Sequence, residues 1–205
     1  GLGSEWRHIL AAPGVLATYS LRFTDSLVRM LFIPILPLFA LELIAETARV
    51  NSFTGLVIGS AAAAAAVFAV AFGRLGDRIG HRWIVITCCL LGCGSFLLQS
   101  MATNAWHFLF LQVAAGMAHG GVITGVSALL ARYTVCGEEG AVYGLDNSIN
   151  AGARALAPMI GVSIAIWLDL RAVFSAAALL YLMAALLALR GLPHTVARCK
   201  PDGTV

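Results

Sequence analysis

Arg22, Asp25 and Arg29 stand at i, i+3 and i+7 in an otherwise apolar run. That spacing lines them along one face of a helix, with Asp25 within reach of Arg22 and of Arg29. In lipid a lone charge at the centre of a span costs about 3 kcal/mol or more, so such residues face a cavity or a partner. Two readings follow: an ion pair that only joins helices, or a polar cavity wall whose carboxylate, Asp25, exchanges a proton. Three more polar side chains sit in apolar runs. His119 is of the type that exchanges protons in the physiological range, although hydrogen bonding alone also accounts for it. Gln112 can reach a solute. Arg154 can bind an anionic group or pair with a carboxylate. No paired histidines or Ser/His pair lies in these runs, so no catalytic set is expected. Cys88, Cys89, Cys93, Cys136 and Cys199 have no accompanying ligand pattern, so neither a metal nor a cofactor is expected.

These residues need a membrane to make sense. The chain has 205 residues, 60% hydrophobic and 11% charged, with a mean hydropathy of +0.90. A soluble domain carries about 25% charged residues, so this composition cannot cover a water-facing surface. Six apolar runs are long enough to span a bilayer: about Pro13–Ala40, Ser52–Phe72, Arg82–Met101, Ala105–Ala131, Ala141–Trp167 and Ala172–Leu189. All are expected to be helices, since lipid cannot satisfy open backbone groups. Residues 1–12 read as a cytoplasmic linker, 13–191 as the membrane domain and 192–205 as a cytoplasmic tail. The polar start resembles a linker or cut point within a longer polypeptide. Pro34, Pro37 and Pro158 interrupt spans and predict bends. Gly55, Gly59, the alanine run Ala61–Ala66, Gly92, Gly94 and Gly116, Gly120, Gly121 and Gly125 predict close helix packing. Trp6, Trp83, Trp106 and Trp167 fall at span ends, as an aromatic belt requires.

A second charged group, Gly73-Arg-Leu-Gly-Asp77-Arg78-Ile-Gly80-His81-Arg82, falls between the second and third spans and reads as one short loop. With six spans both termini share a side. That side holds eight of the basic residues (Arg7, Arg74, Arg78, Arg82, Arg132, Arg190, Arg198, Lys200), and the other holds two (Arg49, Arg171). The excess predicts that both termini and the loop are cytoplasmic.

The loop resembles the signature G-x-x-x-D-R-x-G-R-R of the major facilitator superfamily, with His81 in place of an arginine. It lies between spans two and three, where that family carries it. Pro34-Ile-Leu-Pro37 is similar to the family's proline-bearing first helix of a half. Ala153–Gly161 resembles the antiporter motif G-x-x-x-G-P-x-x-G, with alanines for the first two glycines. The stretch Val142–Ser148, with Arg154 and Pro158 after it, is similar to the eleventh helix of drug-efflux members. Gln112 stands where the N-terminal half usually carries an arginine.

The resemblance implies an all-α membrane protein of six transmembrane helices, one half of a 12-helix bundle, here the C-terminal half. A natural six-helix protein working as a dimer is the alternative. It implies a secondary transporter of a small solute, by proton-coupled efflux, in a bacterial inner membrane. An uptake carrier for sugars or organic ions, or a membrane scaffold or receptor, is the alternative. Partners are then a small-molecule substrate, protons, the lipid bilayer and a missing N-terminal half or second copy, with no nucleic acid. Gly73, Asp77, Arg78, Gly80 and Arg82 would form a conformational latch, Asp77 capping a helix end of the other half. Asp25, Arg29, Arg154, Gln112 and His119 are the candidate cavity and proton-coupling residues. Pro34, Pro37, Pro158 and Gly161 are the candidate helix-bend residues.

Overall fold

A computed structural model of the chain describes residues 14–44, 47–134 and 139–192. Seven helices follow one another: α1 (Val15–Leu31), α2 (Leu36–Ile44), α3 (Thr47–Ile79), α4 (His81–Ser100), α5 (Ala105–Tyr133), α6 (Glu139–Trp167) and α7 (Leu170–Gly191). Among the described residues, helices α3 to α7 are each long and apolar enough to cross a membrane, and α1 with α2, read as one broken span, makes a sixth. The expected N-terminal segment and the tail beyond Leu192 lie outside the described residues.

The first expected span is bent by 47° between α1 and α2. Pro34 occupies the turn and cannot donate a backbone hydrogen bond, so Leu36 and Ile35 both bond back to the Phe32 carbonyl (2.9 and 3.0 Å). Pro37 causes no break. It sits in the first turn of α2, where a missing N–H is an orphan anyway. Pro158 also leaves α6 continuous as a helix.

The charged loop is corrected more sharply. Helix α3 continues to Ile79 and α4 begins at His81, so Gly80 is the one residue between them. It adopts φ +98°, which a side chain would strain, and its N–H bonds to the Gly76 carbonyl (2.9 Å). The 33 residues of α3 make a rod of about 50 Å, longer than a hydrocarbon core of about 30 Å. That excess leaves room for its last two turns, with Arg74, Asp77 and Arg78, to extend past the apolar layer as helix.

Helix α5 is central, and its glycines serve two faces. A Cβ at Gly116 or Gly120 would run into the carbonyl oxygens of Ala61 and Ala65 on α3. A Cβ at Gly121 or Gly125 would run into Cys88 and Val85 on α4. Between helices in lipid, where apolar burial gives little drive, such backbone approach is the main source of packing energy. Gly161 of α6 meets the Leu31 carbonyl at the end of α1. Gly55, Gly59 and Gly94, also expected at packed faces, meet nothing among the described residues.

Helices α1 and α6 both start at the Gly80 end of the bundle and run parallel. Tyr19 Oη donates to the Val142 carbonyl (3.1 Å), Arg22 pairs with Asp146 (3.2 Å) and Ser26 Oγ donates to Asn150 Oδ1. Steps of three and four residues on α1, and of four on α6, keep these contacts on one facing seam. Toward the opposite end the core turns aromatic. Phe39 packs on Phe174 and Phe108 (centroids 4.8 and 5.1 Å), and Phe32 packs on Phe96 (5.5 Å).

Candidate functional site

Midway along the bundle, between the polar seam and the aromatic core, Asp25 is buried and receives two groups. Tyr181 Oη, from α7, donates to Oδ1 (2.8 Å), and His119 Nδ1, from α5, lies 3.0 Å from Oδ1 and 2.9 Å from Oδ2. On the other edge of the imidazole, Arg29 Nη1 stands 2.7 Å from Nε2. A guanidinium can only donate, so Nε2 accepts and Nδ1 carries the hydrogen given to Asp25. The four side chains thus form one directed chain, Arg29 to His119 to Asp25, with Tyr181 as second donor. Helix faces bring them together: Asp25 and Arg29 are one turn apart on α1.

This corrects the expectation that Asp25 pairs with a neighbouring arginine of its own helix. Arg22 points to α6 and pairs with Asp146, while Arg29 reaches His119. An arginine on the same helix is close in sequence, but a cross-helix acceptor lets each charge be paired without bending its side chain back. Arg154 is exposed among the described residues, while Ala153 and Ala157 on the same helix are buried. Tyr181 was not singled out from the sequence. Its only signal is a hydroxyl in the middle of an apolar span, which must find a partner.

Beside this chain lies a cavity of about 100 Å³. Arg29, His119, Tyr181 and Gln112 supply its polar wall; Phe32 and Phe96 supply aromatic surface; Ala61, Ala62, Ala65 and Gly116 supply room. Gln112 is buried and its Oε1 has no hydrogen-bond partner. The small side chains reflect the close α3–α5 approach, which keeps bulk out of this wall. Phe96 stacks on Tyr181 (5.7 Å, planes at 16°), so the cavity wall and the Asp25 chain share a contact. Ile33, Ile58 and Ala62 are exposed, so the cavity is open on that side. Such a concave, mostly apolar site with a few converging polar groups is the usual form of a small-molecule site.

The latch candidates occupy the Gly80 end. Asp77 is exposed and lies 3.7 Å from the buried His81 ring, one turn on. Gly76 is needed under that ring, since a Cβ there would come within 2.8 Å of it. Arg82 Nη2 donates to the Leu189 carbonyl at the end of α7 (2.7 Å). This bond suits the negative end of a helix dipole. Arg74 and Arg78 are exposed. Gly73 contacts Thr124 closely (3.2 Å for an added Cβ). Among the described residues no group of three or more metal-ligating side chains comes together.

Comparison with known proteins bears on this arrangement. A family model described as Major Facilitator Superfamily matches residues 18–203. "Multidrug resistance protein MdtG" of Enterobacter lignolyticus (strain SCF1) is 27% identical over 168 residues, 82% of this chain and 40% of that protein. The protein of the same name from Salmonella heidelberg (strain SL476) is 27% identical over 141 residues, 69% of this chain and 35% of that protein. The chain thus spans two fifths or less of the curated relatives it matches.

Proposed function

The chain belongs to the major facilitator superfamily, and from that premise we propose that it carries a small solute across a bacterial inner membrane as a proton-coupled efflux transporter. The observation that carries the proposal is the chain of four side chains at the cavity edge. It places an exchangeable proton, on His119 or Asp25, within hydrogen-bond reach of groups that also line the cavity. Intramembrane ionisable groups of this kind mark solute or proton paths. The relatives are named for multidrug resistance, which favours drug-like solutes. The six spans act as one half of a larger bundle, with a second half closing the open side of the cavity. The basic residues at the Gly80 end favour a cytoplasmic position for that end and for both termini. There the Asp77 carboxylate, exposed although one oxygen lies 3.7 Å from the His81 ring, is accessible to a positive helix end of the other half.

A second reading, solute uptake together with a proton, is favoured by one contact. His119 Nε2 is occupied by Arg29. A proton arriving at Nε2 displaces the guanidinium, which then seeks an anion, so proton and anionic solute bind together rather than in exchange. Reconstituted vesicles with an imposed pH gradient separate the readings. Export predicts solute flux opposite to the proton gradient, and uptake predicts flux along it. Asp25→Asn and His119→Gln should each abolish the response to the gradient. Unchanged gradient response in both variants overturns the proton role of this site.

A further inference from the structure

We propose that the cavity selects an aromatic ligand bearing an anionic group, and that Arg29 is the residue that makes the selection. The inference rests on the reading of this cavity as the solute site and adds the charge of the solute. Three observations carry it. First, the carboxylates of the membrane interior are already engaged. Asp25 is 2% exposed, engaged by His119 and Tyr181 and absent from the cavity wall, and Asp146 is paired with Arg22. Second, the charged side chain lining the cavity is Arg29, which is exposed there and bonds the described fold through one nitrogen, Nη1 to His119. Its guanidinium retains donors suited to a planar carboxylate, which it can hold by two parallel bonds. Third, Phe32 and Phe96 line the cavity as a tilted pair with centroids 5.5 Å apart, placing aromatic surface in the same wall as that cation.

The electrostatics decide between ligand classes. A lipophilic cation entering this wall meets a like charge, and no carboxylate among the described lining residues balances it. An aromatic anion places its charge on Arg29, its ring against Phe32 and Phe96, and any hydrogen-bond donor on the unpartnered Gln112 Oε1. The volume of about 100 Å³ is on the scale of one ring, since a cavity of about 150 Å³ accepts benzene. A larger solute would extend through the open side past Ile33 and Ile58.

The test uses the natural-length protein in lipid nanodiscs and three probes of one shape: benzoate, benzylammonium and benzyl alcohol, titrated by calorimetry at one pH. Benzoate is expected to bind about tenfold or more tighter than benzylammonium, the scale of one charge-assisted hydrogen bond. Arg29→Gln should erase the preference, and Arg29→Lys should retain part of it, which separates loss of charge from loss of fold. Benzylammonium binding as tightly as benzoate, or a preference that survives Arg29→Gln, overturns the proposal. Flux in vesicles together with cation preference would sink the ligand class and leave transport standing. Benzoate preference without flux would do the reverse.

Discussion

The two ends of the bundle are held by different physics. Toward Gly80, α1 meets α6 through directional contacts: Tyr19 to Val142, Arg22 to Asp146, Ser26 to Asn150. Toward the opposite end, α1 and α2 meet α4, α5 and α7 through rings: Phe32, Phe39, Phe96, Phe108 and Phe174. Hydrogen bonds in lipid have no water to fall back on, so they fix register. Rings only fill space, and several arrangements of them cost nearly the same. The break at Phe32–Ile35 sits at the border of the two regions, where α1 stops being tied to α6 and the path of the chain is set by packing. The cavity and the Asp25 hydrogen-bond chain lie between the two regions.

Substitutions can test that contrast. The largest effect is expected at Asp146→Ala, which strands Arg22 in a site where both side chains are about nine-tenths buried, at a cost of about 3 kcal/mol. The double variant Arg22→Ala, Asp146→Ala should recover part of the loss, and reversible unfolding in mixed micelles measures both. Phe174→Ala comes next. Lipid is as apolar as the core, so the transfer gain largely vanishes and the cavity term remains, about 2 kcal/mol. If Phe174→Ala proves costlier than Asp146→Ala in the same assay, the contrast is wrong. Arg171 borders the aromatic end, over the Phe39 ring at 5.8 Å, near Glu42 at 3.6 Å and donating to the Ser100 carbonyl. Because it is partly exposed, Arg171→Ala should cost only about 1 kcal/mol. Ser26→Ala removes one interhelical hydrogen bond and is expected to cost about 0.5 kcal/mol. Its larger consequence is in register, so cross-linking between cysteines placed on α1 and α6 should broaden in that variant. An unchanged cross-linking pattern would mean that the remaining seam contacts suffice.

Much of this organisation was legible in the amino-acid order. Long apolar runs and the punctuation between them give six spans, because length and composition alone decide whether a helix can cross a bilayer. The position of the first bend followed from Pro34. Span membership, however, does not fix how a helix is rotated about its axis. Asp25, His119, Gln112 and Arg29 were each conspicuous as polar residues in apolar runs, yet nothing local says that residues 94 positions apart share a hydrogen bond. Tyr181 escaped notice because tyrosine is ordinary in a span, and only its partner 156 residues away makes it part of the site. Arg154 is exposed among the described residues, so its surroundings depend on whatever covers that face of α6. The glycines of α5 were visible as a cluster, but their division into a face for α3 and a face for α4 depends on neighbours that periodicity does not reveal. The Gly73–Arg82 segment looked like a loop because it is charged, whereas a helix that outruns the apolar layer is equally free to be charged.

Gly80 has a consequence for how the protein reaches the membrane. A joint of one residue leaves α3 and α4 no slack to enter lipid one at a time. They partition as a single hairpin whose apex carries Arg74, Arg78 and Arg82. Three guanidinium groups are too costly to drag through the hydrocarbon layer, so the hairpin stays anchored at the face where it began. The two helices thereby share one orientation, set by the face that holds their apex.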